Sequence, residues 1–267
     1  MALDPADIFA QRAIVRLGGR GRVVYGLYEK GRVRLFEGSP FAGGKPGKQT
    51  VKLGEVRVLA PCRPSKVVAV GLNYKAHARE MKKALPEEPM LFLKPSTAVI
   101  GPGAPIVRPL HMSRRVDYEA ELGVVIGRPC QDVGAGEAPD YILGYTCVND
   151  VTARDLQATD IQYTRAKGFD TFCPLGPAIA LDLDPGTLRV RSLVDGQTRQ
   201  DSTTADLIFT PAELVSFISR VMTLKAGDVI ATGTPAGVGP LADGQTVTIE
   251  VEGIGRLANP VTSRQKL

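Results

Sequence analysis

Residues 117–127 read DYEAELGVVIG, and the fold class turns on this stretch. Its aliphatic run predicts one long strand over YEAELGVVIG (118–127). Glu119 and Glu121, at i and i+2, then project to the same face. Two like charges side by side repel unless a cation joins them. Working outward, KVVAVGL (66–72) and LFLKP (91–95) read as strands before it, and ILGYTCVND (142–150) and PLGPAIAL (174–181) as strands after it. RVRSLV and QTRQDS are joined by Asp195-Gly196, the dipeptide of a tight hairpin. Towards the N-terminus, AIVRL (13–17), RVVYGLY (22–28) and VRLFEG (33–38) are further strands, with SPFAGGKPGKQT (39–50) as a loop. The C-terminal end, from Asp228 to Val261, reads as strands and glycine turns. Helices are few. NYKAHAREMKKAL (73–85) is a polar helix stopped by Pro86, and TARDLQATDIQ (152–162) is a second. In a third, Thr210 caps the start, Pro211 sits in the first turn and Glu213 completes a capping box. Strands dominate without a βαβαβ rhythm, so the expected class is α+β and strand-rich. Pro61-Cys62-Arg63-Pro64 marks a boundary between a small N-terminal β-containing domain, 1–60, and a larger unit, 61–267.

Composition narrows the function. The chain has 267 residues with 43% hydrophobic and 23% charged, which excludes intrinsic disorder. No window approaches the ~18 consecutive apolar residues of a membrane span. The start, MALDPADIFAQR, lacks the apolar core of a signal peptide. Cys62, Cys130, Cys147 and Cys173 form no C-x-x-C pair; reduced, buried thiols of a cytoplasmic protein are expected. The net charge is +5, but Arg12, Arg16, Arg20, Arg22, Arg32 and Arg34 are interspersed singly. Without clustering or tryptophan, a nucleic-acid partner is not expected, and a small anionic substrate suits the charge better.

The usual signatures are missing: no G-x-S-x-G, no H-E-x-x-H, and no G-x-G-x-x-G between strand and helix. PGKQT (46–50) fails as a phosphate loop because its first glycine is misplaced and Gln49 stands where Ser or Thr belongs. With only His77 and His111, any metal must be held by oxygen. Glu119, Glu121 and Asp150 are the candidates, and carboxylates alone specify a hard divalent ion, Mg²⁺ first and Mn²⁺ or Ca²⁺ next. The same residues also read as a solvated strand face and a helix cap. His77 and Glu80, at i and i+3, share a helix face, so the carboxylate can orient the imidazole as a general base. On a polar surface helix the pair would have no role. Arg154, Gln157 and Lys167 suit a substrate carrying carboxylates, though each alone is an ordinary surface residue.

Taken together, VGLNYKAHARE (70–80), FLKPSTAVIGPGAPIV (92–107), DYEAELGVVIG (117–127), GYTCVNDVTARDLQ (144–157), RAKGFDTFCPLGP (165–177) and GDVIATGTPAGVG (227–239) resemble the fumarylacetoacetate hydrolase family, in the family's order across most of 61–267. The resemblance implies a mixed β-roll catalytic domain, a homodimer, and one Mg²⁺ or Mn²⁺ held by Glu119, Glu121 and Asp150. It implies a His77–Glu80 dyad on a lid segment, with Gln157, Lys167, Thr234 and Arg154 positioning the substrate. The implied chemistry is C–C hydrolysis of a short 2-oxo or 2,4-dioxo carboxylate through a metal-bound enolate. Oxaloacetate decarboxylase, tautomerase or 2-hydroxyhepta-2,4-diene-1,7-dioate isomerase activity is the alternative, and a non-catalytic protein keeping the fold is a third.

Overall fold

A computed structural model describes residues 5–19, 22–29 and 31–263. Short, mostly branched apolar runs separated by glycine and proline pair locally, and the result among the described residues is three sheets with four α-helices. The largest, of twelve strands, runs in the order Lys45–Val51, Arg32–Glu37, Arg22–Glu29, Arg12–Gly19, Cys173–Ala180, Ile142–Asn149, Ala120–Ile126, Val229–Ala231, Val67–Gly71, Met90–Lys94, with two further strands beside this path. It is mixed, because Val229–Ala231 pairs parallel to Val67–Gly71 while most neighbours are antiparallel. A five-stranded sheet carries Gln197–Thr203, Arg189–Val194, Thr246–Val251, Gly255–Ser263 and Ile106–Arg108. The strand-rich α+β class is what the molecule shows.

Ala120–Ile126 and Cys173–Ala180 are buried along their whole length. That explains their unbroken apolar runs: covered on both faces, such strands have no solvent side to mark by alternation. The Asp195-Gly196 hairpin forms as read, with both residues at positive φ (51° and 79°), as a type I′ turn requires.

Four details differ from the sequence expectation. The 118–127 strand is interrupted at Glu119, since Val116–Tyr118 pairs with Thr152–Ala153 and Gly239–Pro240 in a small separate sheet. Part of the expected 39–50 loop is strand, Lys45–Val51, paired with Arg32–Glu37 across an irregular register. Helix α1 covers only Lys75–Glu80, ending before Lys82 takes a left-handed φ of 52°. The second predicted helix is preceded by the short strand Thr152–Ala153 and is confined to α2, Arg154–Thr159, with α3 following at Thr164–Lys167. Helix α4, Pro211–Val221, forms with its capping box and buries Leu214, Val215 and Ile218.

Candidate metal centre and active site

Strand register brings three carboxylates together. Ala120 pairs with Asn149 and Glu121 with Val148, so Asp150, one residue past its strand, falls beside Glu119. The Asp150 N–H donates to the Glu119 carbonyl at 2.9 Å, and the Glu119 N–H donates to Oδ1 of Asn149 at 3.0 Å. These two bonds pin the backbone at the strand break. One oxygen from each of Glu119, Glu121 and Asp150 lies within 4.8 Å of the others, and all three side chains are buried.

Their electrostatics are unequal. Lys167 Nζ donates to Glu119 Oε2 at 2.8 Å and to Asp150 Oδ2 at 2.5 Å. Lys94 Nζ donates to Asp150 Oδ1 at 2.6 Å, and Arg154 to Glu119 Oε1 at 2.5 Å. Burial pushes the Glu119 carboxyl up, but Lys167 and Arg154 outweigh it and hold it at about 2. Burial also opposes the Lys167 charge, yet Asp150 and Glu119 raise its pKa, so it stays an ammonium. Glu121 is different. Among the described residues no lysine or arginine forms an ion pair with it, and its Oε2 accepts only the Gly233 N–H, at 2.8 Å. Burial, then the charges of Asp150 and Glu119, raise its carboxyl well above the usual range. Three buried carboxylates with one lacking a counter-charge form a donor set that a hard divalent cation fits. Gly233 (φ 96°) is required for this arrangement, since a Cβ there would lie 2.8 Å from that of Asn73.

The three carboxylates open into a cavity of about 330 Å³, lined also by His77, Arg154, Gln157, Lys167 and Thr234. His77 is buried and Nδ1 lies 2.9 Å from Glu80 Oε2. Glu80 sits behind the imidazole, outside the cavity lining, and its Oε1 accepts the Gly237 N–H at 3.4 Å. Helix α1 is therefore not polar all round: His77 and Ala78 face inward. Arg154 is fixed by three acceptors, Asp117 Oδ2 at 3.0 Å, Gln157 Oε1 at 2.5 Å and Glu119. The Thr234 hydroxyl donates to the Ala120 carbonyl at 3.0 Å and accepts from Gln200 Nε2 at 2.8 Å. Eight of the nine candidates thus line one cavity, and the ninth, Glu80, touches it only through His77.

Three participants escaped the sequence reading. Lys94 ends the strand Met90–Lys94 and is fully buried, which nothing in LFLKP marks. Asp117, fully buried, braces both Arg154 and Arg115. Gln200, also buried, ties Thr234 and the Ala120 N–H to the Arg189–Thr203 hairpin. No local signal separates the last two from ordinary strand residues.

The sequence profile of the fumarylacetoacetate (FAA) hydrolase C-terminal family matches residues 66–262, most of the chain and all of the cavity lining. The chain belongs to the fumarylacetoacetate hydrolase family. A second profile, Rv2993c-like N-terminal, matches residues 13–61. Among this family's members, the oxaloacetate tautomerase FAHD1, mitochondrial, of Arabidopsis thaliana is 44% identical, covering 76% of this chain and 93% of its own. The 2-hydroxyhepta-2,4-diene-1,7-dioate isomerase of Mycobacterium marinum has a solved structure 45% identical to this chain, with a TM-score of 0.88, covering 96% of this chain and 100% of its own. Maleylpyruvate hydrolase from Sphingobium sp. SYK-6, solved in complex with manganese (II) ion and pyruvate, is 30% identical, with a TM-score of 0.77 over 95% of this chain and 100% of its own. These relatives of the family are enzymes.

Proposed function

We propose that the chain is a Mg²⁺-dependent enzyme that cleaves a C–C bond in a short 2-oxo or 2,4-dioxo carboxylate, an acylpyruvate-type hydrolase. The observation that carries this reading is one cavity lined by three buried carboxylates and by an imidazole that a fourth carboxylate holds from behind. A divalent ion at Glu119, Glu121 and Asp150 would supply a Lewis acid for the substrate's oxo and carboxylate oxygens. Mn²⁺ or Ca²⁺ suits the same oxygens, and the manganese of maleylpyruvate hydrolase supports a divalent ion here.

The remaining work falls to the chain's own side chains. With Nδ1 committed to Glu80, His77 takes a proton from water on Nε2, and Glu80 stabilises the imidazolium. The water oxygen bonds to the distal carbonyl carbon and the adjacent C–C bond breaks. Its electron pair stays on the departing carbon, which His77 reprotonates. Lys167 offsets the negative charge that passes through this stage. Arg154 and Gln157 hold the substrate's carboxylate. The relatives named tautomerase and isomerase support a second reading, in which His77 removes and returns a carbon-bound proton and no C–C bond breaks; oxaloacetate decarboxylation is its near neighbour. The proposal takes the enzyme as a cytoplasmic homodimer, with 1–60 as a small N-terminal domain and 61–267 as the catalytic one.

A substrate panel separates the readings. Purified enzyme with Mg²⁺, Mn²⁺ or chelator is offered acetylpyruvate, oxaloacetate and 2-hydroxyhepta-2,4-diene-1,7-dioate, with Glu121→Gln in parallel. Pyruvate plus acetate from acetylpyruvate, lost on chelation and in Glu121→Gln, is the expected result. Interconversion of tautomers or isomers without any scission would select the second reading.

A further inference from the structure

A second cavity, of about 520 Å³, lies where the N-terminal strands meet the 61–100 segment, and it shares no lining residue with the first. Its wall carries Arg16, Arg63, Ser96, Thr97 and Cys62. Arg16 is half-buried, and its guanidinium makes a single hydrogen bond, from Nη1 to the Ala60 carbonyl at 3.3 Å. Arg63 forms no hydrogen bond or ion pair among the described residues, and the hydroxyls of Ser96 and Thr97 are likewise unengaged. Both guanidinium groups are near enough to act on the Tyr25 phenol, where burial raises the pKa and Arg16 and Arg63 oppose it. The one carboxylate among the charges acting on Cys62 is Asp228, already committed to Lys66 and Ser65. Two cations therefore share a concave, hydroxyl-bearing wall without a carboxylate between them, and like charges so placed repel.

We propose that this cavity binds the phosphate group of a small phosphate monoester. Guanidinium forks match oxyanions bidentately. One arginine saturates the two oxygens of a carboxylate, whereas a phosphate offers three terminal oxygens for two guanidinium groups and the hydroxyls. The volume exceeds what a bare phosphate fills and lies within the range of small-molecule pockets, so an organic group has room.

The test is calorimetric titration of the full-length protein with inorganic phosphate and with glycerol 2-phosphate, against chloride at equal ionic strength and against malonate. Wild type is expected to bind both phosphates, and Arg16→Gln and Arg63→Gln each to weaken that binding by about tenfold or more. Arg57→Gln, an exposed arginine outside the cavity, is expected to change nothing. Arg63 is exposed on the inter-domain segment, so its variant remains informative if Arg16→Gln misfolds. Phosphate binding that persists unchanged in Arg63→Gln, that fails to exceed chloride, or that is matched by malonate would overturn the proposal.

Discussion

Asp228 is completely buried, and its carboxylate is nonetheless saturated. Oδ1 accepts from the Ser65 N–H, the Ser65 hydroxyl and the Lys66 N–H; Oδ2 accepts from the Lys225 N–H and from Lys66 Nζ at 2.6 Å. Burial raises its pKa, but these donors and the Lys66 charge together lower it below the ordinary carboxylate value. A lowered folded-state pKa stabilises the fold above the unfolded value, and that stabilisation is lost as pH falls through the folded one. Asp228→Asn should cost about 3 kcal/mol near neutrality, measured by urea unfolding. The difference between variant and wild type should shrink as pH falls from about 5 to about 3. A gap independent of pH would remove the charge from the explanation. The same residue scale shows where sequence was informative. Glu119 and Glu121 were legible as a pair because their i, i+2 spacing puts two like charges on one strand face, and Asp150 because it ends ILGYTCVND; that the three converge is visible only in the strand register. Lys94 was not, because its partner Asp150 lies 56 positions away and only the strand register reveals the pair.

At the scale of elements, α4 was read correctly because its signals are local: a capping residue, a proline in the first turn and a glutamate at the third position. Thr210 Oγ1 accepts the Glu213 N–H at 3.3 Å, and Glu213 Oε2 accepts the Thr210 N–H at 2.7 Å. Thr210→Ala removes the first bond, and loss of such a cap should lower stability by about 1 kcal/mol. Thermal unfolding checks this, and Thr210→Ser should recover most of the loss. Elements set by distant partners were not legible. KPGKQTV (45–51) has neither alternation nor branched residues until its end, and becomes a strand only because Arg32–Glu37 offers an edge. The break at Glu119 likewise follows from Val116–Tyr118 finding partners at 152–153 and 239–240. Such competition between sheets leaves no mark in the residues themselves.

For the whole molecule, both ends of the twelve-stranded path, Lys45–Val51 and Met90–Lys94, are edges. Met90 and Leu93 on the second are 44% and 48% exposed, and exposed apolar edges call for cover. Together with the proposed homodimer, this predicts a C₂ particle of about twice 28.5 kDa in analytical ultracentrifugation; a monomer at micromolar concentration would contradict it. The cavity is assembled from segments scattered from residue 70 to residue 234, so the proposed base and the proposed metal ligands reach one site only through the complete fold. His77 belongs to α1, and the carboxylates to the 119–121 and 149–150 strand ends. If they form one catalytic unit, replacing the imidazole must disable chemistry while sparing the metal. The decisive measurement is therefore His77→Ala on the best substrate of the panel, with steady-state kinetics and Mg²⁺ titration on the same preparation. The prediction is unchanged Mg²⁺ affinity with kcat lowered roughly 10²–10⁴-fold; near-wild-type kcat would contradict it.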